Sequence, residues 1–137
     1  MYTPKYFTLK ECFPNDFPKD WKYMDDRILK SADKLRDFFG PLYVNGKGLT
    51  QCGFRTNGSL TSQHRFGRAL DLHSNRYSSE EIRFYILKNK DDFPYISFLE
   101  VDISWLHISC QNSEFSLWSP KRGFITKETY LRTGDIK

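Results

Sequence analysis

The chain contains three histidines, His64, His73 and His107, and two of them occur in patterns that bring nitrogen and oxygen donors together. The first pattern is Ser62-Gln63-His64-Arg65-Phe66-Gly67-Arg68-Ala69-Leu70-Asp71. On one helix, residues seven apart would lie about 10 Å from each other, too far to share an ion. Divided between a loop and a following strand they converge, and Gly67 lets the chain turn tightly between them. The second pattern is Glu100-Val101-Asp102-Ile103-Ser104-Trp105-Leu106-His107. Strand alternation puts Glu100 and Asp102 on one face and, after a turn, Trp105 and His107 on one face of the partner strand. Two imidazoles, one carboxylate and an open position describe a catalytic zinc site, with a separate carboxylate as general base. Imidazole donors favour zinc over magnesium. On spacing alone the same histidines also fit ordinary core or surface roles.

These residues need elements to hold them. Trp21, Met24, Ile28, Ala32, Leu35 and Phe39 recur at steps of three and four, so a helix is expected over about 20–39, stopped by Gly40-Pro41. Leu42-Tyr43-Val44 reads as a short strand closed by the turn-prone Asn45-Gly46, and 48–58 as loop. Ser78 followed by Glu81 is a capping box for a second helix, Ser79 to Leu87 or Lys88. Residues 95–102 read as a strand and 105–110 as its partner, with Ile103-Ser104 at the turn. Phe13, Phe17 and Trp21, set among Pro14 and Pro18, suggest a segment laid over the core, while the last 20 residues carry no clear pattern. The fold class expected is α+β, a small, mostly antiparallel sheet flanked by helices.

A length of 137 residues is read as a single domain, 1–137. Aromatic residues make up 17%, which argues against disorder. The formal charge of +4 comes from bases spread along the chain without a run, which argues against a nucleic-acid module and suits an anionic polymer such as a bacterial cell wall. Cys12, Cys52 and Cys110 are odd in number and widely spaced, so reduced, buried thiols are expected rather than a disulfide framework. No apolar run is long enough to span a membrane, and the N-terminal residues lack the apolar core of a signal peptide.

The string S-x-H-x-x-G-x-A-x-D from Ser62 to Asp71, followed by W-x-H from Trp105 to His107, resembles the M15 family of zinc peptidases. That family includes D-Ala-D-Ala carboxypeptidases and phage L-alanyl-D-glutamate endolysins. The opening Tyr6-Phe7-Thr8-Leu9-Lys10-Glu11 and the segment Gly53-Phe54-Arg55 look like its short phage and prophage branch, so the resemblance spans roughly 6–109. It implies a hedgehog/DD-peptidase-like fold and zinc held by His64, Asp71 and His107. Arg55 would steady the substrate or the oxyanion, and Ser62 would hold the loop or contact the peptide. From its place beside His64, Gln63 is a candidate donor to the substrate, and Trp105 is a candidate to line the site or stack on a sugar. Some relatives carry the general base three residues before the last histidine, where this chain has Ser104. Glu100 is the expected base instead, with Asp102 the other candidate. His73 is either a support for Asp71 or a surface or core histidine, Phe66 is read as packing, and Trp105 has a core reading beside its site reading.

The function implied is cleavage of peptidoglycan stem peptides, at an L-Ala-D-Glu or a D-Ala-containing bond, by a phage- or prophage-encoded peptidase. Such a protein would be a cytoplasmic product and a monomer, reaching the wall through a holin or from a phage particle. The other reading is a catalytically silent, zinc-containing wall-binding or phage structural protein.

Overall fold

A computed structural model describes residues 1–14, 19–44, 53–56 and 62–136. Four α-helices occur among them: α1 (Leu9–Cys12), α2 (Asp26–Phe39), α3 (Ser79–Lys88) and α4 (Lys127–Thr133). Five strands, β1 (Ala69–Leu72), β2 (Phe98–Glu100), β3 (Leu106–Ser109), β4 (Ser116–Ser119) and β5 (Gly123–Ile125), form one sheet in the order β1-β3-β2-β4-β5. Three of the pairings are antiparallel and β2–β4 is parallel, so the chain is α+β with a mostly antiparallel sheet.

Register decides which side chains meet. Leu70 and Leu99 lie opposite Ile108, and Leu72 lies opposite Leu106, so these apolar side chains share the face that enters the core. They join Ile28, Leu29, Ala32 and Leu35 of α2 and Ile82, Ile86 and Leu87 of α3 in one buried cluster. Each of these leucines and isoleucines contributes about 1.5–3 kcal/mol relative to exposure. The opposite face of the same strands carries Asp71, His107 and Glu100, with His107 directly across from both acids.

The long helix begins later than its apolar period implies. Trp21 and Met24 are buried as expected, but Trp21–Tyr23 form a separate 3-10 turn and Met24 is extended at φ −106°, ψ 140°. Asp25 then caps α2, its carboxylate accepting from the Arg27 amide, and this local bond resets the start. At the other end Gly40 closes α2 as expected. Ahead of the helix, buried Asp33 accepts from Tyr2 Oη at 2.6 Å and from the Lys5 and Tyr6 amides, tying the first residues across α2.

α3 spans Ser79–Lys88 with the complete Ser78/Glu81 capping box. Of the segment 42–44, only Tyr43 pairs, in a single antiparallel bridge to His73. The strand expected over 95–102 is reduced to Phe98–Glu100, because the backbone turns into the left-handed region at Asp102, φ +62°. Its partner begins at Leu106, after a turn that includes Ile103 and Ser104. The last 20 residues, without pattern in the sequence, supply the end of β4, all of β5 and α4. Cys12 and Cys110 are free, buried thiols, with the Cys110 thiol pushed up to about 12 mainly by burial. Asn45-Gly46, Cys52 and most of 48–58 lie outside the described residues.

Candidate metal centre

A 3-10 turn, Gln63–Phe66, carries His64 and ends at Gly67, φ +67°. A Cβ at Gly67 would sit 2.0 Å from the Tyr23 carbonyl oxygen, and the Gly67 carbonyl itself accepts from the Asp25 amide at 2.8 Å. Only glycine allows both this backbone conformation and this approach. The turn therefore seats His64 against the start of α2 before the chain enters β1, so loop and strand carry the two residues as the spacing requires. A second close approach places the preceding segment: a Cβ at Gly53 would meet the Cys12 carbonyl oxygen at 2.3 Å, and the Phe54 amide donates to that oxygen at 2.7 Å.

His64, Asp71 and His107 converge, each offering one donor atom within 4.8 Å of the others, so the cluster could hold a metal ion. His64 Nδ1 lies 2.9 Å from the Gly53 carbonyl oxygen. A carbonyl only accepts, so Nδ1 carries the proton and donates, which leaves Nε2 as the ring nitrogen that faces the cluster. That Nε2 is 3.4 Å from Asp71 Oδ1, and His107 Nδ1 is 2.8 Å from the same oxygen. The geometry gathers two imidazole nitrogens around one carboxylate oxygen, donor atoms of the kind a metal ion takes. Arg55 Nη2 approaches the other oxygen, Asp71 Oδ2, at 3.4 Å. Burial alone would push the Asp71 carboxyl up; hydrogen bonds with His107 and His64 more than reverse this and hold it well below the usual carboxylate range. Asp71 is thus an anion, as a ligand must be.

Glu100 stands across from His107, half-buried. Burial raises its carboxyl above the ordinary value, and nearby His107 pulls the other way. Phe98, on the same strand face, packs edge-on against the His107 ring at 5.7 Å, and the His64 and His107 rings stand 5.2 Å apart.

Asp102 does not share that face. Its positive φ ends the alternation two residues after Glu100, and its carboxylate is committed elsewhere. Arg122 donates to both oxygens at 2.9 Å, the Ile136 amide donates at 2.7 Å, and the Ser119 hydroxyl donates as well. Both oxygens of Asp102 are thus held in a structural clamp away from the strand face that carries Glu100. Trp105 precedes β3, so strand alternation does not set it beside His107; the side chain is exposed rather than core. Phe66, expected to pack, is half exposed, stacked under the Arg68 guanidinium at 5.7 Å. Ser62 and Gln63 open the turn that carries His64, and the Arg65 amide donates to the Ser62 carbonyl. His73 lines a cavity of about 420 Å³ shared with Tyr77, Glu80 and Ser104.

Three features were missed in the sequence: the Gly53 carbonyl on His64, the Arg122 clamp on Asp102, and a fully buried Arg83 on α3. Only the last left a signal, as an arginine amid the apolar positions Ile82, Ile86 and Leu87. Among the described residues no helix is long and apolar enough to cross a membrane. Comparison of the chain with protein-family models, with curated proteins and with solved structures finds no match.

Proposed function

We propose that this chain is a zinc-dependent peptidase, related in fold to the hedgehog/DD-peptidase group, that cleaves the stem peptides of peptidoglycan. The observation that carries the reading is the convergence of His64, Asp71 and His107 with Glu100 opposite His107. The donor set suits zinc: nitrogen and oxygen ligands at 2.0–2.1 Å on a tetrahedron stand about 3.3 Å apart. The 3.4 Å from His64 Nε2 to Asp71 Oδ1 is near that spacing, and the 2.8 Å from His107 Nδ1 to the same oxygen is a hydrogen-bond distance that would open by about half an ångström around an ion.

Zinc, when bound, supplies a Lewis acid and makes a nucleophile accessible at neutral pH. His64, Asp71 and His107 hold it, the first oriented by the Gly53 carbonyl. Glu100, on the same sheet face, would take a proton from the water whose oxygen adds to the scissile carbonyl and return it to the amine nitrogen as the C–N bond breaks. Its half-buried setting raises its proton affinity toward that of a working base. Arg55, beside Asp71, adds positive charge where negative charge develops on the scissile carbonyl. The bond cleaved is L-Ala-D-Glu or one that contains D-Ala.

The test is zinc content by elemental analysis of protein purified without added metal, beside His64→Ala, followed by digestion of purified peptidoglycan. Near one zinc per chain, lost in the variant, with new amino termini released from the wall, is the expected result. No uptake when zinc is supplied would overturn the reading. Zinc without hydrolysis of any wall preparation would replace it with the silent wall-binding protein.

A further inference from the structure

The turn between Glu100 and His107 is held from one side by a single face of α3. Ser79 and Arg83, one helical turn apart, take three successive carbonyls of that turn. The Ser79 hydroxyl donates to Ser104 O at 3.1 Å. Arg83 Nη2 donates to Ile103 O at 3.1 Å, and Nη1 to Trp105 O at 3.0 Å. The remaining Arg83 contacts brace the guanidinium itself: Nη2 donates to Asp135 Oδ2 at 2.6 Å, and Nε to Tyr130 Oη at 2.9 Å. Tyr130 in turn donates to Asp135 Oδ1, which also accepts from the Asp102 amide at 2.9 Å.

Arg83 is 0% exposed, and its neighbours on the helix are Ile82, Ile86 and Leu87. Burying an arginine costs several kcal/mol, and an apolar side chain at this position would avoid that cost. What an apolar residue cannot do is donate to the carbonyls of a turn whose backbone is drawn out of the sheet at Asp102. The fork of Arg83 reaches two of them from a rigid helix.

We propose that Arg83 is a positioning residue of the metal centre, acting through the Ile103 and Trp105 carbonyls to fix His107 relative to Glu100 and Asp71. The inference rests on reading the His64–Asp71–His107 cluster as a metal site. Arg83 touches no ligand, so its effect passes through Val101 and Asp102 to Glu100 and through Leu106 to His107.

Arg83→Lys tests it, because lysine keeps the charge and loses the planar fork. Ser79→Ala is the milder companion. Thermal unfolding establishes that each variant folds; titration with Zn²⁺ and the visible absorption of the Co²⁺ form then report on the ligands without any assay of hydrolysis. A folded Arg83→Lys is expected to bind Zn²⁺ about tenfold more weakly, with a shifted Co²⁺ band. Ser79→Ala is expected to weaken binding about threefold, the worth of one net hydrogen bond. Should Arg83→Lys fail to fold, Ser79→Ala decides. Wild-type affinity and spectrum in the folded variants would overturn this inference alone. A wild-type chain that binds neither ion would overturn it together with the proposed function.

Discussion

Two buried polar clusters flank the turn that follows β2, and they are built on opposite plans. Around Asp102 and Asp135, each acid meets a guanidinium: Arg122 on Asp102 and Arg83 on Asp135, with Ser119, Tyr130 and backbone amides filling further acceptor positions. Around Asp71 the surrounding groups are two imidazole nitrogens, and Arg55 stands off at 3.4 Å. The first cluster is complete as it stands and fixes a backbone. The second concentrates donors of the kind a metal takes. Buried carboxylates of one fold are therefore set apart by which groups the chain places against them.

Substitutions that exchange these plans should fail in different ways. The largest effect is expected from Asp71→Ala, which should abolish metal uptake measured by elemental analysis while the chain still unfolds cooperatively. Uptake at the wild-type level would remove the distinction between the clusters. Next, Glu100→Gln should keep its metal and lose hydrolysis of peptidoglycan by about 10²- to 10⁴-fold, the usual worth of a general base. Asp102→Ala should do the reverse: it leaves Arg122 without its partner and costs about 3 kcal/mol in denaturant unfolding. A variant of Asp102 that is stable but inactive would return that residue to the site.

Acid sharpens the same contrast. Burial would raise the Asp102 carboxyl, but the hydrogen bonds from Arg122, Ser119 and the Ile136 amide leave it below its ordinary value. A depressed folded pKa gives stability that is complete above the unfolded value of about 3.9 and is lost as pH falls through the folded one. The denaturant midpoint of the wild type should therefore fall below about pH 4. Asp102→Asn should lie below it at pH 6, and the gap should narrow with acid. The smallest effect is expected from Ser78→Ala, about 1 kcal/mol, because it removes only the cap of the helix that carries Ser79 and Arg83.

How legible each part was depended on the range of the interaction that fixes it. The α3 boundaries follow from Ser78 and Glu81, which act within one turn, and the α2 stripe from its period. The meeting of His64 with Asp71 needed only a glycine turn and a strand, and the β2–β3 pairing then placed His107 across from Glu100. Asp102 was misplaced because alternation was carried past the end of β2, and the groups that pull it away, Arg122 and the Ile136 amide, lie 20 and 34 residues along the chain. The start of α2 was set too early because buried Trp21 and Met24 continue the helical period without being helical. Gly53 carried no local sign that its carbonyl would orient His64, since that contact depends on Cys12 closing over it.

The pairing of β1 with β3 joins candidate ligands, Asp71 and His107, that are 36 residues apart, with α3 and β2 between them. An unfolded chain holds no such set of donors, so an ion that binds here binds the native state alone. Loading and folding then become one linked equilibrium, and the ion acts as a ligand of the whole tertiary structure. At a free zinc concentration 100 times its dissociation constant, this linkage adds about 2.7 kcal/mol to the stability of the chain. Chelation would then shorten the lifetime of the fold itself, and the concentration of metal in the surroundings would set how much of the protein persists.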